Sequence, residues 1–148
     1  MHDGVICMIS FVSEITSALM TFVVASGLPA GAEDMALEGR CIYAPKYTEL
    51  LKRGDHSFAL CDSVSIKLRG ETTIIDFARE GWGSSLQLRG TMDGSKMSVS
   101  EISIRGHEPA PARGECRIAL RENDRHIVTC LAQKRGISFV ANFEQAWN

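Results

Sequence analysis

The chain has 148 residues, 45% of them hydrophobic and 23% charged, and a formal net charge of −2. That length holds a small domain with a single core. The charges are dispersed and nearly balanced, so there is no electrostatic footprint for nucleic acid or an anionic membrane.

The first element in chain order is an apolar segment. From Ile15 to Leu28 nearly every residue is apolar or small, and after a Gly-Pro break the run ends in Ala30-Gly31-Ala32, followed by Glu33-Asp34. The run has the length of a signal-peptide core, short of the roughly 20 residues of a membrane span. It is an unusual signal: the segment before the run holds Asp3 but no Lys or Arg, and Glu14 interrupts the apolar residues. An uncleaved anchor, or a true start elsewhere in the chain, is the alternative. We expect residues 1–32 to be a signal peptide and residues 33–148 to form one disulfide-stabilised β-domain. Cleavage removes Asp3, Glu14 and Cys7, leaving a formally neutral chain with Cys41, Cys61, Cys116 and Cys130. An even cysteine count behind an export signal reads as a disulfide framework, in the periplasm or outside the cell. Arg40, directly before Cys41, is foreign to the small-residue context of a lipid-modified cysteine.

A short helix follows. Pro45 suits a first helical position, and Tyr47, Leu50 and Leu51 recur at helical spacing before Gly54. We expect it to pack over an end or edge of a sheet.

From His56 the apolar period becomes two. Val64, Ile66 and Leu68 alternate with polar residues, and so do Thr73, Ile75 and Phe77 beyond Gly70-Glu71. A two-residue turn with glycine first fits a primed hairpin turn and pairs Leu68 with Thr73, Ile66 with Ile75 and Val64 with Phe77. A second hairpin is expected about Asp93-Gly94, between Leu86 and Leu88 on one side and Met97, Val99, Ile102 and Ile104 on the other. Its apolar phase slips between Val99 and Ile102, so we place a β-bulge near Ser100-Glu101. A connection of polar and breaker residues, Gly106 to Pro111, precedes three final strands at residues 115–121, 126–134 and 137–143.

In those strands, a three-residue loop at Glu122-Asn123-Asp124 sets Arg121 opposite Arg125, Ile118 opposite Val128 and Cys116 opposite Cys130. Continuing about Arg135-Gly136 sets Val128 with Phe143, Cys130 with Ala141 and Ala132 with Phe139. Directly opposed cysteines on neighbouring strands are within disulfide range. The pairing Cys116–Cys130 follows, and Cys41–Cys61 then ties the N-terminal segment to the first strand. Seven or eight strands with one apolar face predict an all-β fold, an antiparallel meander closing into a barrel with one short N-terminal helix. A two-sheet sandwich is the alternative.

Motifs for chemistry are weak. His56, His107 and His126 lie at a strand start, a loop and a turn exit, without metal spacing. Asp55 and His56 are neighbours whose side chains diverge in a strand, so a dyad is not expected. Gly81-Trp82-Gly83-Ser84-Ser85 lacks the Gly-x-Ser-x-Gly spacing of a nucleophile elbow. Pairing all four cysteines leaves no thiol as nucleophile or metal ligand. No cofactor and no metal is expected.

Two features point toward partners. Trp82, between two glycines at a strand connection, is expected to plug one barrel end; an exposed interface contact is the alternative. The outward phase of the last strands carries Arg113, Arg117, Arg121, Arg125 and Arg135. Arg117 and Arg121 share one face, read as solvated, or more sharply as a site for an acidic partner or anionic polymer. Trp147 invites an outer-membrane reading, which outward arginines such as Arg89 oppose.

The functional expectation is an exported, non-enzymatic binding or inhibitor-like module whose partner is an unknown protein or envelope component. Small exported barrels that inhibit cell-wall-degrading enzymes share this architecture, and nothing more specific. A lipocalin-like carrier of a small apolar ligand is the alternative, opposed by the large inward residues Phe77, Leu88, Ile118, Phe139 and Phe143. An enzyme pairing Asp62 or Asp76 with a histidine is the third reading.

Overall fold

A computed structural model describes residues 34–147. The expected signal peptide, residues 1–32, lies outside the described residues.

The described chain runs β1 (Met35–Cys41), a 3-10 turn (Pro45–Tyr47), α1 (Thr48–Lys52), β2 (His56–Phe58), β3 (Ser63–Arg69), β4 (Thr72–Arg79), β5 (Gly83–Asp93), β6 (Lys96–Ile104), β7 (Ala110–Leu120), β8 (His126–Lys134) and β9 (Ile137–Gln145). From β3 to β9 each strand pairs antiparallel with its successor. β1 closes the ring by pairing with both ends of that meander: Met35–Glu38 lie against β3, and Gly39–Cys41 lie against Gln145, Glu144 and Phe143 of β9. The result is a closed eight-stranded antiparallel barrel. β2 is the extra strand, added parallel to the start of β9 with Ser57 opposite Phe139. The sandwich alternative is thereby set aside.

Hairpin register follows turn chemistry. The β3–β4 register is the expected one, and Gly70 supplies the positive φ of 62°. In β5–β6 the structure corrects the expected turn. The loop is Gly94-Ser95, one residue later than Asp93-Gly94, because this register sets Met92 opposite Met97 on the inner face. Ser100 is the extra residue between Val99 and Glu101, so the anticipated bulge restores the apolar phase there. β7 begins at Ala110, inside the segment expected to be a connection. The registers of β7–β8 and β8–β9 match the pairs derived from the apolar pattern.

The inner face is filled by side chains. Phe77, Phe143, Ile75, Leu88, Met97, Ile102, Val64 and Val128 are all fully buried, as are Cys116 and Cys130. Cys116–Cys130 is a disulfide inside the barrel between neighbouring strands, with its Cα atoms 4.0 Å apart. Its sequence separation of 14 residues corresponds to about 3 kcal/mol of chain-entropy stabilisation. Cys41–Cys61 fastens the end of β1 to the segment before β3, closing the seam where the barrel shuts.

Three strand glycines allow the barrel to coil. A Cβ on Gly39, Gly90 or Gly114 would fall on the carbonyl oxygen of Glu144, Ser98 or Leu131 respectively, so only a bare backbone fits at these close approaches. The outward phase holds Lys67, Arg69, Asp76, Arg89, Lys96, Glu115 and Arg117, so the barrel is apolar inside and charged outside, the inverse of a lipid-facing barrel. Among the described residues, no helix is long and apolar enough to cross a membrane.

Candidate functional site at one barrel end

The turns β4–β5, β6–β7 and β8–β9 lie at the same end of the barrel, because alternate turns of a meander share an end. Trp82 stands in the first of them. Gly81 and Gly83, with φ of 74° and 71°, take the left-handed conformations that place a side chain at the apex of so tight a connection. The turn is anchored from below. The Asp62 carboxylate accepts from the Glu80 amide at 2.9 and 3.1 Å, and the Trp82 amide donates to Arg79 O at 2.9 Å. Ser85 is a bulge between Phe77–Leu86 and Ala78–Ser84. Its hydroxyl lies 2.9 Å from Leu60 O and 2.8 Å from Phe77 O, pinning the segment before β3 to β4.

Trp82 does not plug the barrel. It is 48% exposed, and its indole lies between the guanidiniums of Arg79 and Arg105, each 4.7 Å from the ring centroid. Neither arginine takes part in an ion pair among the described residues. Beside the indole opens a crevice of about 170 Å³ walled by Phe58, Leu60, Leu86, Ile104 and Phe139. Leu60 on its rim is itself exposed. The crevice is smaller than the several hundred Å³ of a small-molecule site and suits a single apolar side chain. The end therefore combines a held aromatic, an apolar notch and two uncompensated cations, the ingredients of a protein-contact anchor.

Arg117 and Arg121 are not brought to this site. Arg117 lies in β7 and Arg121 just beyond it, toward the opposite barrel end. Each has an acidic neighbour: Arg117 Nε meets Glu115 at 2.5 Å, and Arg121 faces Glu144 at 4.0 Å. Lys96 also reaches Glu115, at 2.8 Å, and hydrogen bonds from Lys96 and Arg117 hold the Glu115 carboxyl below its usual range. Arg125 lies 3.9 Å from Glu144 and stacks on Trp147 at 4.1 Å. On this face four cations thus share two glutamates, so each cation has an acidic neighbour although the face keeps a net positive charge.

A second concavity lies on the outside of the barrel. The segment 42–55, carrying the 3-10 turn and α1, passes over β8 and β9 and leaves a groove of about 760 Å³ lined by Ile42, Tyr47, Leu50, Phe58, Leu131 and Val140, among others. Tyr43 staples this segment down: its hydroxyl donates to Ala59 O at 2.6 Å and lies 3.2 Å from Val140 O. Phe58 packs edge-on against it at 4.8 Å. Burial pushes the Tyr43 hydroxyl up to about 12. Asn142 ties the segment's start, donating to Ile42 O at 2.9 Å.

His56, His107 and His126 are not brought together. His56 and Asp55 do meet, Nδ1 to Oδ1 at 2.6 Å, where divergence was expected. The cause is that Asp55 precedes β2 rather than lying within it. The hydrogen bond from His56 holds the Asp55 carboxyl below its usual range. His56 borders the outer groove, but no hydroxyl or thiol hydrogen-bonds to its ring among the described residues. His107 and His126 approach Arg105 O and Gln145 Oε1. Asp62 caps the β4–β5 turn and Asp76 accepts from Ser84 at 2.5 Å, so neither pairs with a histidine. Among the described residues, no cluster of His, Cys, Asp and Glu is placed to hold a metal ion.

The fold and site define a small, disulfide-bridged, closed β-barrel with a stiffened aromatic turn at one end. No protein-family model, curated protein or solved structure matches the chain.

Proposed function

We propose that this protein is a non-enzymatic binding module, exported to an oxidising compartment, which engages a protein or other envelope component through the barrel end that carries Trp82. The observation behind this reading is the half-exposed indole fixed between Arg79 and Arg105 beside an apolar notch. Two disulfides and a filled interior support a rigid scaffold, which loses little entropy on binding, as inhibitor-like modules require. The disulfides also support export, since such bonds persist outside the reducing cytoplasm. The reading uses no cofactor, metal or catalytic residue.

The test is cross-linking in the envelope fraction of the producing cell with the wild type and with Trp82→Ala. A partner captured by the wild type should bind the variant roughly 30-fold more weakly, the cost of losing an aromatic anchor. Equal binding of every captured partner removes the reading. Export is checked separately by N-terminal sequencing: the expected first residue is Glu33, and an intact Met1 on cytoplasmic protein overturns it.

Carriage of a small apolar ligand has one observation in its favour, the outer groove beneath segment 42–55. The filled barrel interior moves that reading from inside the barrel to its wall. Native mass spectrometry decides it: protein purified from its own compartment with no lipid adduct, and no uptake of added fatty acid, ends the carrier reading.

A further inference from the structure

Cations of the last three strands fall into two sets, with Lys134 at the half-buried end of the inner phase of β8. Arg117, Arg121 and Arg125 face Glu115 or Glu144. Arg113, Lys134 and Arg135 take part in no ion pair among the described residues, yet they converge on one concavity. That groove, about 620 Å³, is lined by these three cations with Ser100, Gln133 and the apolar Val99 and Ala112, and by no carboxylate.

The backbone explains why a groove exists at this point. Along β6–β7, Val99 is in register with Gly114 and Glu101 with Pro111, while Ser100, Ala112 and Arg113 between them have no partner across the ladder. The Ser100 bulge thus parts the two strands, and Pro111 has no N–H with which to help close them. Lys134 and Arg135 reach the groove from the β8–β9 turn, where Arg135 takes φ of 49°. The nearest β6 carboxylate in sequence, Glu101, faces Arg89 instead, at 3.6 Å.

Three like charges around a concavity repel one another, and at Arg117, Arg121 and Arg125 glutamates reduce that repulsion. Here no protein carboxylate does, so a bound anion gains the field of all three. The two arginines add planar forks that match carboxylate, phosphate and sulfate oxygens.

We propose that this groove binds a multivalent oxyanion, a ligand presenting two or more carboxylate, phosphate or sulfate groups, with Arg113, Lys134 and Arg135 as its cations. The ligand is either a free polyanion or a charged stretch of an anionic polymer. The site stands independently of the Trp82 crevice. It lies nearer the other end of β7 than Arg117 and Arg121, the pair that the sequence offers as a solvated face or a site for an acidic partner.

Calorimetric titration with pyrophosphate, citrate and a sulfated oligosaccharide at low salt tests the proposal. Saturable binding of at least one probe is expected, weakened by added salt. Arg113→Gln/Lys134→Gln should lower affinity at least about tenfold, while Arg117→Gln/Arg121→Gln changes it less than about twofold. Arg113, Arg117 and Arg121 are exposed and Lys134 is half-buried, and an unchanged melting temperature shows that each variant folds; if the first pair does not, Arg113→Gln/Arg135→Asn asks the same question without Lys134. A sulfated oligosaccharide binding more tightly than both small anions assigns the polymer source, and comparable binding assigns a free anion. The proposal fails if none of the three probes binds saturably. It fails equally if affinity survives loss of Arg113 and Lys134, or falls as far on loss of Arg117 and Arg121.

Discussion

Truncating Trp82 to alanine separates a core plug from a surface anchor by size of effect. A buried aromatic that closes a barrel end costs about 3–5 kcal/mol when cut to alanine. Trp82 is 48% exposed, so about half of a tryptophan's roughly 200 Å² leaves water on folding, worth about 2.5 kcal/mol as an upper bound. Residual burial in the unfolded chain brings this to about 2 kcal/mol. Much of that area is the contact with Arg79 and Arg105 at 4.7 Å each, so their cation–π attraction, about 0.5–1 kcal/mol per pair, overlaps this figure. Urea denaturation followed by circular dichroism, with disulfides intact, gives the number. Phe77→Ala serves as the internal reference, because Phe77 is fully buried and should lose about 3–5 kcal/mol. A double-mutant cycle with Arg79→Gln should return a coupling of about 0.5–1 kcal/mol. If Trp82→Ala costs as much as Phe77→Ala and shows no coupling to Arg79, the indole is a structural plug and the reasoning fails.

Three further outcomes follow from the packing. Tyr43→Phe should cost about 1 kcal/mol at neutral pH, because the carbonyl of Ala59 loses its donor. With its folded pKa raised to about 12 from about 10 unfolded, the Tyr43 contribution is intact below about pH 10 and fades as pH rises toward 12. Denaturation across this window should show a wild-type loss of about 1–2 kcal/mol that Tyr43→Phe lacks, the figure reduced for partial solvent access; equal pH dependence in both proteins contradicts the assignment. Gly90→Ala puts a Cβ onto the Ser98 carbonyl and should cost about 3 kcal/mol or abolish folding, against about 1 kcal/mol for Gly81→Ala, where the space is open and only the positive φ resists. A melting comparison ranks the two, and the reverse order would refute the close approach. Thr73→Val should stabilise by about 1 kcal/mol, since the Thr73 hydroxyl is buried with no hydrogen-bond partner; a lower melting temperature would show that the hydroxyl is satisfied.

Much of the barrel is legible in the sequence because local turns control it. From Ser63 to Phe143 every strand neighbours its successor, and each hairpin has one buried face, so apolar period and turn chemistry together define register. That is why the Ser100 bulge and the Cys116–Cys130 bridge could both be placed from the pattern. β1 escaped notice because Leu37 is the only buried residue in its seven. β2 has three residues and pairs parallel with a strand about 80 positions away, beyond any local pattern. The Ser85 bulge left no trace because it precedes Leu86, before any apolar phase is established. The candidate site divides along similar lines. Trp82 was visible as a residue between glycines, but its exposure was not. Arg79 and Arg105, which hold it, belong to different turns. Arg117 and Arg121 stand out in the sequence by outward phase, which cannot show that each has a glutamate nearby.

Legible from the residues alone were the all-β class, the meander order, the β3–β4, β7–β8 and β8–β9 registers, and both disulfides. The registers rest on interactions between residues close along the chain, where period two and a short turn act together, and Cys41–Cys61 is the pair left once Cys116 faces Cys130. How the barrel closes, with β1 split between β3 and β9, and which surface cations have a glutamate neighbour emerge at the level of the folded chain. Those outcomes depend on residues far apart in sequence meeting across a coiled sheet. The same holds for the indole of Trp82, which stays half-exposed beside a crevice whose walls include Leu86 of its own hairpin and Phe139 of the distant β9.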